Sequence, residues 1–204
     1  MPVAFGTADD CLFEFGHLKE GESVLIQAGA GGVGVAAIQL AKRAGARVLA
    51  ATASSLERLE PLKELGLDVA INYSESGWVD QVRAATDGRG VDLVVDPVGG
   101  KVLLGSIQSL AYRGRCSLVG QAGRDPQPFD ASMLMMGNQA LTGVFLGAEI
   151  ATDRAREMIQ RHVDDVAAGR LKVLVDRTFP LSDAAAAHAF IESRQAIGRV
   201  VLIP

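Results

Sequence analysis

The sequence predicts an α/β fold: a doubly wound, parallel sheet of six strands with helices on both faces. Three observations lead there. The apolar run Val24-Leu-Ile-Gln27 passes through a turn holding four glycines, Gly29, Gly31, Gly32 and Gly34, and enters a helix-like run from Val35 to Arg43. Short apolar segments then alternate with helix-like ones along most of the chain, the pattern of a parallel sheet whose crossovers are helices. The chain has 204 residues, 49% hydrophobic and 22% charged, which is long and apolar enough to bury a full core.

Met1 to Glu20 reads as a lead-in helix, with Leu12 and Phe15 turned to the core. After the glycine turn and its helix, Arg47–Ala51 is a second strand. Ser55–Leu65 reads as helix, opened by a serine cap and closed by Gly66. Val69–Ile71 is the third strand, and Ser76–Ala85 a helix with Val79 and Val82 on one face. Asp92–Val95 is the fourth strand, ending in Asp96-Pro-Val-Gly-Gly100, where Asp96 reads first as a turn former. A helix from Val102 to Ala111 follows, with Tyr112 at its end. Arg115–Val119 is the fifth strand, a loop with two prolines runs to Asp130, and Leu141–Phe145 is the sixth strand. Ala151–Ala168 is a long helix whose apolar face is marked by Ile159, Val163 and Val166. The end differs: Lys172–Pro180 is extended, Ser182–Ser193 is a helix capped by Ser182, and Arg199–Ile203 is a last strand that need not join the main sheet. The divisions are a lead-in helix at 1–20, a main α/β domain at 21–170 and a return segment at 171–204.

Gly29, Gly31 and Gly34 stand at the G-x-G-x-x-G spacing of a Rossmann fold. The first permits a tight turn, the second keeps a side chain out of the space of a pyrophosphate, and the third lets helix and strand pack closely. The helix start adds unpaired N–H groups and the positive end of a dipole. A chain that holds NAD carries an acid about 20 residues further on, for the ribose hydroxyls. Here the second strand ends Ala51-Thr-Ala-Ser-Ser55 without one, and Glu57 is the nearest. Ser54, Ser55 and Arg58 offer donors and charge to a 2′-phosphate, which favours NADPH over NADH. In the plainer reading Ser55 only caps its helix and Arg58 is a surface residue.

Other chemistries are excluded or weak. His17, His162 and His188 stand in no zinc-ligand spacing, so no metal site is expected, and there is no G-x-S-x-G elbow. The net charge of −4 comes with scattered basic residues, against nucleic-acid binding. The apolar runs are shorter than the ~18–20 residues of a membrane span. Cys11 and Cys116 read as buried thiols of a cytoplasmic protein rather than a disulfide.

On Gln27–Gly34, Ala51–Ser55, Ile71-Asn-Tyr73, Gly88-Arg-Gly-Val-Asp92, Asp96–Gly100 and Gly198-Arg-Val-Val-Leu202, nearly the whole chain resembles the quinone oxidoreductase branch of the zinc-independent medium-chain dehydrogenases. The resemblance implies that Gly31, Gly32, Val33 and Gly34 hold the pyrophosphate of NADPH, with Arg199 nearby. It implies that Ser54, Arg58 and Tyr73 hold the 2′-phosphate region, although the family often has lysine where Arg58 stands. Val98 and Gly120 would line the path to the nicotinamide. Phe145 and Leu146 would meet the nicotinamide, and Thr7 its ribose. It further implies hydride transfer to a quinone or an α,β-unsaturated carbonyl, and a homodimer paired through the sixth strand. Members of the family begin with a GroES-like domain, which these residues do not include. An incomplete cleft and poor activity alone are therefore expected, and no catalytic residue is assigned. Two alternatives stay open: an enoyl-reductase piece of a polyketide or fatty-acid synthase, and a stand-alone nucleotide sensor.

Overall fold

The computed structural model describes residues 2–204, so Met1, the first residue of the expected lead-in, lies outside them. Strand β1 (Ser23–Ile26) is buried along its whole length. It lies between β2 (Val48–Ala53) and β4 (Val91–Asp96), pairing in parallel with both. With β3 (Val69–Asn72), β5 (Leu110–Leu118) and β6 (Ala140–Gly143) they form one six-stranded sheet in the order β3-β2-β1-β4-β5-β6. Every pairing is parallel, as expected. The order reverses between β1 and β4, where a doubly wound sheet opens a crevice at its carboxyl ends.

Alternate side chains of each strand go to opposite faces. Val24 and Ile26 join a core under α1 (Pro2–Asp9) and α2 (Gly32–Arg43), whereas Leu25 joins one with Val82 of α3 (Trp78–Ala84) and Leu103 and Ile107 of α4 (Gly100–Gln108). After β6 come a short helix α5 (Leu146–Glu149) and the long α6 (Asp153–Ala167). α6 is capped by Thr152, whose hydroxyl accepts from Ala155 N–H. A separate pair, β7 (Val175–Pro180) and β8 (Arg199–Ile203), is also parallel, with α7 (Ala184–Glu192) between them in the chain. β8, whose place the sequence left open, stays out of the main sheet.

Several sequence readings need correction. Ser55–Leu65 is not an α-helix: the chain bends at Ser54–Leu56 and turns from Glu57, and only Glu60–Leu65 closes, as a 3-10 helix ended by Gly66 at φ +105°. Pro61 is the cause, because inside an α-helix it has no N–H to give and its ring clashes with the preceding turn. Ser55 therefore caps no helix. Its hydroxyl bonds the exposed Glu57 instead, which holds that carboxyl below its usual range. Ser182 is not the cap of α7, because Leu181–Asp183 forms a 3-10 turn and Asp183 takes the capping position without a side-chain bond. Tyr112 lies in β5, exposed, rather than at a helix end.

The buried face of α6 matches the expected one only in part. Ile159 and Val166 pack partly buried against the core, but Val163 is exposed, and the fully covered residues are Ala155, Met158, His162 and Asp165. Charge partners from other elements cover the two polar members. His162 Nε2 lies 2.8 Å from Asp9 Oδ2, and Asp165 is gripped by Arg43 and by Arg170, the latter at 2.6 Å. Arg43 and then Arg170 hold the Asp165 carboxyl below the usual range. Cys11 and Cys116 are buried and free, and burial pushes the Cys11 thiol up to about 12.

Candidate dinucleotide site

The glycine turn joins β1 to α2 at the centre of the sheet's carboxyl edge. Two of its glycines are demanded by packing. A β-carbon on Gly29 would fall 2.6 Å from that of Ala51 on β2, and one on Gly34 would fall 2.5 Å from the Gly29 carbonyl oxygen. Gly31 is different. Its backbone is extended (φ −81°, ψ 170°), open to any residue, and a β-carbon there would meet only the Ala28 carbonyl, at 3.2 Å. Packing within the turn therefore presses on this position less than on Gly29 and Gly34, through one backbone carbonyl alone. No side chain caps α2 at Gly31, which leaves its first N–H groups open to an anion.

Arg199, at the start of β8, closes this turn from above. Its guanidinium lies over Gly32, where an added β-carbon would overlap Arg199 Cζ. Gly198 N–H donates to the Ala30 carbonyl at 2.8 Å, tying the return segment to the glycine turn. Among the described residues no carboxylate lies within 4.0 Å of the Arg199 guanidinium. A cation at the positive end of a helix is unfavourable unless an anion sits between them. Val33 turns partly into the core.

At the end of β2, Arg58 donates to Ser54 Oγ at 3.1 Å and to the Ala196 carbonyl at 2.7 Å, and its Nε is buried without a partner. Burial lowers its pKa, while Tyr73 and Asp176 act the other way. Tyr73 follows β3 and its N–H donates to the Ala53 carbonyl. Ser54, Arg58 and Tyr73 are thus brought together, and no acid follows the end of β2 before Glu57.

The loops after β4 and β5 touch: a β-carbon on Gly120 would fall 2.9 Å from the Pro97 carbonyl, beside Val98. Past β6, Phe145 is 74% exposed and its ring lies over Gly147. Leu146 does not share that exposure. Its side chain is buried with Ala155 and Met158, and its Cδ2 would lie 3.1 Å from a β-carbon on Gly6. Thr7, next in α1, is buried as well. Leu146 thus packs on α1 at Gly6, the residue before Thr7, and its side chain is committed to that packing.

Sequence reasoning missed the polar chain beneath these loops. Gln27, Thr52, Asp96 and Ser106 are all fully buried. Thr52 Oγ1 donates to Gln27 Oε1 (2.5 Å), Gln27 Nε2 to Ser106 Oγ (3.1 Å), and Ser106 Oγ to Asp96 Oδ2 (2.8 Å). Asp96 Oδ1 accepts from Val98 and Gly99 N–H, so the turn-forming reading of Asp96 holds. The available signal was a glutamine closing an apolar strand just before the glycine turn. Among the described residues, no three His, Cys, Asp or Glu side chains are grouped to hold a metal ion, and no helix is long and apolar enough to cross a membrane.

Comparison with known proteins gives the same picture. The family model for zinc-binding dehydrogenases matches residues 32–164. A 2-haloacrylate reductase from a Burkholderia species is 36% identical over 201 residues, which are 97% of this chain and 60% of that enzyme. A phenolphthiocerol/phthiocerol polyketide synthase polypeptide from Mycobacterium tuberculosis is 33% identical over 202 residues, 98% of this chain and 9% of the synthase. The structure of Escherichia coli quinone oxidoreductase complexed with NADPH superposes with a TM-score of 0.90 at 30% identity, covering 98% of this chain and 63% of that one. The chain belongs to the zinc-binding dehydrogenase family, as the cofactor-binding part of a medium-chain dehydrogenase/reductase of the zinc-independent, quinone oxidoreductase kind.

Proposed function

We propose that this chain binds NADPH and serves hydride transfer to a quinone or an α,β-unsaturated carbonyl. The observation that carries the reading is the partnerless Arg199 guanidinium facing the uncapped start of α2 across Gly32. Gly29, Gly31, Gly32, Val33 and Gly34 would receive the pyrophosphate, with Arg199 over it. Ser54, Ser55, Arg58 and Tyr73 would take the 2′-phosphate, Val98 and Gly120 the path across the switch point, and Phe145, the Leu146 backbone and Thr7 the nicotinamide riboside. The NADPH complex of the quinone oxidoreductase neighbour supports this choice. When bound, the cofactor supplies the hydride, and these residues orient it and cover one side.

The return segment supports a division into lead-in 1–20, dinucleotide-binding domain 21–170 and return 171–204. Parallel sheets are normally covered on both faces, yet Val201, Leu202 and Ile203 of the two-stranded β7–β8 pair are exposed. We read this strip as the surface on which a GroES-like domain would lean. The two free thiols support a cytoplasmic setting. A second reading, the enoyl reductase of a multidomain synthase, is favoured by the polyketide synthase relative.

The test is NADPH oxidation by these 204 residues, alone and joined to a GroES-like domain, against a simple quinone and a 2-enoyl thioester. Slow turnover alone and faster quinone reduction when joined support the proposal. Preference for the thioester favours the synthase reading. Tight NADPH binding with no reduction of either acceptor by the joined form favours a sensor.

A further inference from the structure

We propose that Gln27 is a positioning residue, and that the buried chain through it holds the pyrophosphate turn and the loop after β4 in one fixed register. The proposal deepens the reading of this site as a dinucleotide site and rests on it. The direction of every bond is determined. As a carboxylate Asp96 only accepts, so the Ser106 hydroxyl must spend its proton on it and offer Gln27 a lone pair. Gln27 must then turn its NH₂ to Ser106 and its carbonyl to Thr52. Thr52 in turn gives its proton to Gln27 and keeps a lone pair for Ala28 N–H, at 3.3 Å. The donors therefore run one way, Ala28 to Thr52 to Gln27 to Ser106 to Asp96. Asp96 is also where Val98 and Gly99 N–H converge, at 2.8 and 2.9 Å.

The two ends of this chain are the two loops a dinucleotide must span. At one end Ala28 holds a left-handed conformation (φ +51°), rare for a residue with a side chain, and the Thr52 contacts brace it. Gly29 N–H adds a bond to the Thr52 carbonyl at 2.8 Å. At the other end Val98 and Gly99 border the switch point. All four linking side chains are fully buried, so water cannot replace a lost partner. An amide is the side chain that both accepts from Thr52 and donates to Ser106, which explains glutamine at the end of an otherwise apolar strand.

The test compares Thr52→Val, which keeps the shape and loses the hydroxyl, with Thr52→Ser, which keeps the hydroxyl. Gln27→Met and Ser106→Ala are parallel variants. In the unliganded protein, amide hydrogen exchange at Val98 and Gly99 should speed up about tenfold in Thr52→Val and Gln27→Met, and stay unchanged in Thr52→Ser. NADPH affinity should fall about tenfold in the same two variants, with adenosine 2′,5′-bisphosphate binding within about twofold of the parent. Faster exchange confined to Ala28, or unchanged NADPH affinity in a folded Thr52→Val, overturns the positioning role. If the parent chain binds no NADPH, the dinucleotide reading fails, and exchange at Val98 and Gly99 still decides whether the loops are coupled.

Discussion

The Arg199 guanidinium rests on Gly32, at the first turn of α2, so closely that a methyl group on Gly32 would overlap it. Two elements far apart in the chain thereby meet at one turn. At the proposed pyrophosphate site the backbone of α2 would supply donors and a dipole, and the return segment would supply the charge.

This pairing predicts that Arg199→Ala weakens NADPH and NADH alike, because both carry the pyrophosphate. Loss of a charge-assisted contact is worth roughly 1.5–3 kcal/mol, about tenfold to a hundredfold in affinity. Gly31→Val should also weaken both, by filling the space left open above the turn. Calorimetric titration of each variant with each nucleotide checks this, and selective loss of one nucleotide would move Arg199 to a different part of the ligand.

Assembly should follow from the edge of the sheet. β6 is an outer strand, and Met135, Met136 and Phe145 beside it are exposed at 74%, 92% and 74%. An apolar edge without protective charge invites a partner strand, so a two-fold dimer with β6 near the axis is expected. Sedimentation at micromolar concentration should show a dimer for the parent and a shift toward monomer for Met136→Lys. A monomeric parent would contradict the expectation.

Acid stability should depend on Asp165. Arg43 and Arg170 lower its pKa in the folded state, so its contribution is fully present above the unfolded value of about 4 and is lost as pH falls through the lowered value. Asp165→Asn should therefore melt earlier than the parent at pH 7, and the gap should close at the acid end. Thermal unfolding across pH reads it directly, and a gap that persists at low pH would point to packing instead.

The thiols give an independent check of the core. Both cysteines are buried, and burial raises Cys11 to about 12 and Cys116 well above its ordinary value. At pH 8 a thiol-specific reagent should label neither in the folded chain and both after denaturation. Rapid labelling of the folded protein would contradict the packing of α1 on the sheet.

The alternation of strand and helix and the glycine turn are legible because local sequence pattern and backbone geometry dictate them. Gly29 and Gly34 are glycine for contacts within the same turn and its nearest strand, so spacing alone reveals them. Ser55–Leu65 carries the end signals of a helix, a serine at its start and Gly66 after its end, but Pro61 breaks the run between them. Of the α6 face, Ile159 and Val166 follow from the local pattern, but the buried polar members do not: Asp165 is covered by Arg43, 122 residues away in the chain, and His162 by Asp9, 153 residues away. No local pattern contains such a partner. The chain through Gln27 escaped for the same reason: it meets Ser106 across 79 residues. Leu146 was assigned to the nicotinamide by resemblance, and its packing on Gly6 appears only in three dimensions.

A dinucleotide site selective for the 2′-phosphate depends above all on Arg58. NADPH and NADH should be titrated into the parent chain and into Arg58→Ala. NADPH should bind tighter than NADH by about tenfold to a hundredfold in the parent, and the gap should narrow in the variant while NADH affinity stays the same. Equal affinities in the parent, unchanged by the substitution, would contradict it.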